Sequence, residues 1–265
     1  MARQAKRDVR AVVVWAIALL AVTALCALWL NSSGGSYRDV SPPILVIAYS
    51  PALVALAVAG FLPGAGGFRS ILGQFLHWRA GVRWYALALL GPFVLVLLAT
   101  AIFVGVGGHP PQQWFVVPSA AGFGVLLGPL IAGSIGEEPG WRGFGQQHLQ
   151  RRLRMLGAAV IVGLLWSVWH LWPLLTPVGR ADITGADVAQ TFVRLISTAV
   201  VYAWLYNRSG AGLAVVMVAH AGHNLAIDFA APEVAGSELG GWIIAALYLV
   251  AALVVVIVDP RFRRK

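Results

Sequence analysis

The sequence predicts an all-α polytopic membrane protein. About eight transmembrane helices surround an inward-facing polar cavity, and one amphipathic helix lies in the membrane interface. Three observations predict this. First, 59% of the 265 residues are hydrophobic and only 11% are charged, whereas soluble domains carry about a quarter charged residues. Second, apolar runs near the ~20 residues needed to span hydrocarbon recur along the whole chain. Third, the basic residues border those runs, as topology signals do. The formal charge of +9 is therefore not read as a nucleic-acid surface, which needs its cations clustered on one soluble face beside stacking aromatics. Cys26 is the only cysteine, so the chain has no internal disulfide and no cysteine metal site.

In chain order the spans fall near 11–30, 41–62, 84–106, 114–137 (continuing as helix), 156–175, 188–206, 211–228 and 241–258. They form a single integral membrane domain, 1–265. The first follows Arg3, Lys6, Arg7 and Arg10 and is longer than the apolar region of a cleaved signal peptide, so it is read as a retained helix. With the N-terminus cytoplasmic, 16 of the 19 basic residues fall on the cytoplasmic side, and only Arg38, Arg180 and Arg194 lie on or near the outer side. Both termini are then cytoplasmic, in the cell (inner or plasma) membrane. In "FRSILGQFLHWRAGVRW", Phe68, Ile71, Leu72, Phe75 and Leu76 recur at helical spacing opposite Arg69, Gln74 and Arg79, which predicts the interfacial helix. The stretch "FGQQHLQRRLRM" is polar enough to carry the fourth helix out of the membrane before the chain turns back.

Ionisable groups in hydrocarbon are costly and mark function or a buried pair. Glu137, Glu138 and Arg142 fall on the fourth span, His170 on the fifth, and His220, His223, Asn224 and Asp228 on the seventh. The turn between spans four and five is expected in Arg151–Arg154, midway between Glu137 and His170. An antiparallel hairpin turning there sets these two groups at one depth, roughly 25 Å from the turn at 1.5 Å per residue. His220 enters from the "NRSGAG" turn, and all three converge on one cavity.

Residues four apart share a helix face, so Glu138 and Arg142 form an ion pair. Glu137 points about 100° away and is left for proton transfer. Pro139 lacks an N–H for the Ile135 carbonyl and is expected to kink the helix beside the carboxylates. His220 and Asn224 also share a face, and neutral imidazole and carboxamide N–H groups suit a developing oxyanion. Asp228 either orients them or ends the helix, and His223 is read as packing. Trp166, four residues before His170, is expected to stack over its ring.

At these residues the sequence resembles the CPBP intramembrane endopeptidases (CAAX-processing and bacteriocin-processing or self-immunity proteases, also called Abi). "EEPGWR" fits their Glu-Glu-x-x-x-Arg signature, "WSVWH" their aromatic-x-x-x-His motif and "HAGHN" their His-x-x-x-Asn motif. Trp166 stands where Phe is usual. "WRAGVRWYALALLGP" is similar to the family's entry into the third span, and the resemblance covers roughly Trp78 to Asp228. It implies hydrolysis of a peptide bond in a membrane-associated or lipidated substrate. Glu137 and His170 would activate a water, with Glu137 the general base. His220 and Asn224 would bind the oxyanion, and Glu138 and Arg142 would brace the site. Glu137, His170 and His220 form a conceivable zinc set with an open position, but a His-Glu-x-x-His helix is absent, and a glutamate-dependent mechanism without an obligatory metal is favoured. The implied partners are a membrane protein or peptide substrate and the bilayer, with no nucleic acid. The competing readings are a proton-coupled transporter and a catalytically silent immunity or binding protein. Against the first, the polar residues gather at one site instead of tracing a path across the bilayer. Against the second, the motif set is intact. Seventeen Arg against two Lys hint at a GC-rich bacterial genome.

Overall fold

The computed structural model describes residues 2–38, 40–117 and 133–262. Helix α1 (Ala2–Ser32) and α2 (Pro42–Phe61) are followed by a short α3 (Phe68–Leu72) and α4 (Val82–Gly105). Helix α5 runs over 133–150, and α6 is Met155–Trp169. A short α7 (Pro177–Asp182) precedes α8 (Gly185–Arg208), and α9 (Leu213–Asp228), a short α10 (Pro232–Ala235) and α11 (Glu238–Val258) complete the chain. Among the described residues six stretches are long and apolar enough to cross a membrane: α1, α2, α4, Met155–Leu175, α8 and α11. The seventh expected span is the shorter apolar α9. Most of the fourth, 118–132, lies outside the described residues, so the count of eight is not reached.

The closest partnerships are α6 with α8, α9 with α4, α8 with α11 and α1 with α2. Three ion pairs close one end of the bundle. Asp8, buried at the start of α1, receives Arg151 at 3.0 Å and Arg152 at 3.2 Å from the α5–α6 turn. Arg208, ending α8, meets Asp259 at 2.6 Å just after α11. Both ends of the described chain therefore lie at the end that carries the basic turns. At the opposite end, exposed Arg38 pairs with Asp182 at 2.9 Å.

The expected interfacial helix is shorter than its sequence pattern implied. It consists of α3 and a 3-10 turn, Gly73–Leu76. Ile71 and Gln74 face inward, while Phe68, Leu72 and Leu76 are exposed, so the apolar side turns away from the protein. Gln74, assigned to the polar face, is instead a buried clamp. Its Nε2 donates to the Ser70 carbonyl at 2.6 Å and the Gly143 carbonyl at 2.8 Å, and its Oε1 accepts from the Tyr206 hydroxyl at 2.8 Å. A buried amide with these bonds satisfied outweighs the apolar period.

Two glycines seat α5 on α2. A Cβ at Gly136 would strike the Ala48 carbonyl oxygen, and one at Gly140 the Pro51 carbonyl oxygen. This small-xxx-small spacing lets the two backbones touch. Pro51 in turn leaves the Ile47 carbonyl without its helical donor, and the Ser50 hydroxyl supplies one at 2.7 Å. Within α5 the predicted irregularity at Pro139 takes a definite form: residues 133–140 are α-helical, Trp141–Gln146 is a π-helical turn, and α-helix resumes at Gln147–Gln150. Inserted π-turns of this kind are frequent at functional sites.

Candidate active site

The acidic pair lies where α5 meets α6 and α9, and both carboxylates are buried. Glu138 Oε1 accepts from Arg142 at 3.0 Å and from His220 Nδ1 at 2.7 Å. The Glu138 and Arg142 side chains are fully buried. The guanidinium lies over the Trp166 and Tyr202 rings, 4.7 and 4.9 Å from their centroids, which supplies cation–π contact where water cannot. The predicted Glu138–Arg142 pair is present, and it carries His220 as well.

Glu137 faces another way, as the 100° separation requires. Its Oε2 accepts from two indoles, Trp166 Nε1 at 2.7 Å and Trp141 Nε1 at 3.1 Å. Its Oε1 lies 3.9 Å from His220 Nε2. A Cβ built at Gly133 would lie 3.4 Å from Asn224 Nδ2 and 3.9 Å from Glu137 Oε1. Those two polar ends thus flank one glycine, whose lack of a side chain keeps the space between them open.

His170 caps the C-terminus of α6, and its Nδ1 contacts the Trp166 carbonyl at 3.0 Å. Its ring meets Trp166 edge-on at a centroid distance of 5.5 Å, and Trp166 is also the residue bonded to Glu137. The two motif residues expected to face each other are therefore linked through Trp166. The expected stacking of that indole on His170 is an edge contact. His223 is buried and shares a 2.5 Å hydrogen bond with the Tyr248 hydroxyl. Asp228 is exposed at the last turn of α9.

Trp166, His170, His220, His223 and Asn224 line a cavity of about 240 Å³ together with Arg194. Its walls come from the C-terminal parts of α6 and α9 and the N-terminal half of α8. It lies about one helix length from the α5–α6 turn, since His170 follows the 15 residues of α6, comparable with the roughly 25 Å expected. Sequence reasoning assigned Arg194 to the outer side as a topology residue; the structure sets it in the cavity wall. The available signal was its position inside the apolar span 188–206, where a charge is costly. The indole bonds to Glu137 were also missed, since motif spacing does not report which way a ring N–H points.

Among the described residues no group of three or more His, Cys, Asp or Glu side chains is placed to hold a metal ion. Glu137, His170 and His220 are not gathered at ligating distance, so no chemical step is routed through a metal.

Residues 123–226 match the family model described as type II CAAX prenyl endopeptidase Rce1-like. A stretch of 83 residues is 31% identical to CAAX prenyl protease 2 of Methanococcus maripaludis. Both matches support the CPBP family over the stretch they cover. The matched stretch spans 31% of this chain and 30% of that relative's length. The family-model match includes all three CPBP motifs, from Glu137 to Asn224. Trp166, at the position where the CPBP motif usually has Phe, brings the indole N–H that bonds Glu137. All-helical architecture and several apolar spans make it a multi-pass membrane protein.

Proposed function

We propose that the protein is an intramembrane endopeptidase that hydrolyses a peptide bond of a membrane-associated or lipidated protein. The observation that carries this reading is the convergence of Glu137, His220 and Asn224 on one buried space, with Glu137 3.9 Å from His220 Nε2. Glu137 takes a proton from a water held between it and His170. The resulting hydroxide attacks the scissile carbonyl carbon, and the carbonyl oxygen becomes the oxyanion. Asn224 Nδ2 and His220 Nε2 donate to that oxygen. With Nδ1–H committed to Glu138, Nε2 can donate only when the imidazole carries both protons, so the expected neutral ring becomes an imidazolium held by Glu138. The proton on Glu137 passes to the departing nitrogen as the C–N bond breaks. Glu138 and Arg142 fix His220 and take no part in bond making. Both termini are assigned to the cytoplasmic face of the cell membrane on the distribution of Lys and Arg.

The test is cleavage of a membrane-peptide library by purified protein in detergent or vesicles. The wild type is expected to cleave, Glu137→Gln to be inactive and His220→Ala to be severely impaired. Equal cleavage by all three ends the reading. Activity that survives chelation, with elemental analysis showing no stoichiometric metal, supports the glutamate-dependent chemistry; loss of activity restored only by zinc overturns it.

A further inference from the structure

Arg194 has no role in the chemistry above, yet it occupies the wall of the reaction cavity. It lies nine residues into α8, about 13 Å from that helix's start, deep in an otherwise apolar span. It lines the 240 Å³ cavity with His170, His223 and Asn224, and also a second cavity of about 200 Å³ with Gln190 and Thr191. The guanidinium therefore lies in the walls of two polar cavities. No hydrogen bond or ion pair reaches it among the described residues. Two carboxylates share these walls. Asp228 is exposed at the rim, and Asp187 is engaged by the Thr184 backbone N–H at 2.8 Å and hydroxyl at 2.6 Å. Tyr202 and Tyr248 are its near polar neighbours, and a phenol does not neutralise a cation. Arg142, by contrast, has Glu138. A guanidinium kept deep in a membrane helix without a counter-ion, facing the space where substrate is bound, calls for an anion supplied by the ligand.

Resting on the endopeptidase reading, we propose that Arg194 is a specificity-determining residue that binds a carboxylate of the peptide substrate. The planar fork suits a carboxylate better than a point charge does. The carboxylate has two sources, the free C-terminus of a short segment beyond the scissile bond or an acidic side chain, and both present the same group.

The experiment uses full-length protein and the membrane-peptide library in three forms: free C-terminal acid, C-terminal carboxamide, and carboxamide with one Asp replacing Asn beyond the cleavage site. Wild type is expected to favour one carboxylate form by about tenfold or more in kcat/KM, carried mainly by KM. Which form is favoured identifies the source. Arg194→Gln should remove the preference, and Arg194→Lys should retain part of it. Equal kcat/KM for all three forms with the wild type overturns the proposal without reference to any variant. So does a folded Arg194→Gln that keeps the preference. If the wild type cleaves nothing, the function proposal has failed by itself. Binding of the same peptides to Glu137→Gln, read by thermophoresis, then decides on Arg194: an acid preference lost in Glu137→Gln/Arg194→Gln supports it, and equal binding refutes it.

Discussion

Replacing Glu138 by Gln should damage the fold more than replacing Glu137 by Gln, although the two residues are adjacent and chemically identical. Glu138 Oε1 holds Arg142 at 3.0 Å and His220 at 2.7 Å, and the ion-paired side chains are fully buried. Glutamine at 138 keeps an acceptor oxygen but removes the negative charge, so a buried guanidinium is left uncompensated. Breaking a buried pair from one side costs about 3–5 kcal/mol. Glu137 makes no short ion pair, its Oε1 lying 3.9 Å from His220 Nε2, and it accepts two indole N–H bonds on its other oxygen. A glutamine carbonyl accepts the same two bonds, and the loss is the difference between charged and neutral acceptors, about 1 kcal/mol. At about 2–4 °C per kcal/mol for a chain of this size, the two variants should melt roughly 4–16 °C apart. The assay is thermal unfolding in one detergent, read by tryptophan fluorescence, with the double variant Glu138→Leu/Arg142→Met alongside. The double variant should recover most of the loss, because removing both charges removes the penalty. Equal melting of the two single variants, or a double variant worse than Glu138→Gln, would refute the reasoning.

Trp166→Phe, which installs the residue usual in the family, should lower kcat/KM about tenfold and alter its pH profile, since the 2.7 Å bond to Glu137 is lost; an unchanged profile means that the indole only packs. Gly140→Ala drives a methyl into the Pro51 carbonyl and should cost about 1–3 kcal/mol as α2 shifts, measured by thermal unfolding; an unchanged melting point would show that α2 does not touch α5 there. Beyond the last membrane helix, burial pushes the Asp259 carboxyl up, but bonds from Arg208 and the Arg261 backbone N–H outweigh it and leave it below its ordinary value. A depressed carboxyl stabilises the folded state above its unfolded value of about 3.8 and loses that contribution as pH falls through the folded value. The protection of amides 259–262, measured as exchange relative to the intrinsic rate at each pH, should therefore fall on acidification below about pH 4, and Asp259→Asn should abolish that dependence.

What was legible in the sequence follows from which physical signals are local. Apolar length located the spans that fall within the described residues, and i,i+4 spacing paired Glu138 with Arg142, because both are properties of one helix. The same arithmetic set Glu137 apart from Glu138 and brought the three motifs to one site. Partners between helices were not legible. His220 bonding Glu138 depends on how α9 is rotated against α5. Gln74 read as surface because its bonds to Gly143 and Tyr206 come from residues 69 and 132 positions away. Arg194 was counted by its place in a loop-and-span scheme, and only the packing of α8 against α6 and α9 shows that it faces the cavity.

The structure also changes what the Glu138–Arg142 pair does. Arg142, Glu138, His220 and Glu137 form a file of alternating charge once His220 is protonated, with successive contacts of 3.0, 2.7 and 3.9 Å. In such a file no member is purely a brace. On the proposed mechanism Glu138 holds the doubly protonated imidazole, whose Nε2 is then a donor on the side of Glu137. Arg142 pairs with Glu138 at 3.0 Å, and the Trp166 and Tyr202 rings lie against its buried guanidinium. Groups linked in this way do not contribute additively. Removing Arg142 should consequently act through His220 and depress catalysis even in protein that remains folded, although the guanidinium touches no reacting atom. On the proposed mechanism, the division of the two glutamates into one structural and one chemical residue applies only to direct contact with substrate. It does not hold for energy, since the proton on His220 is shared between their two roles.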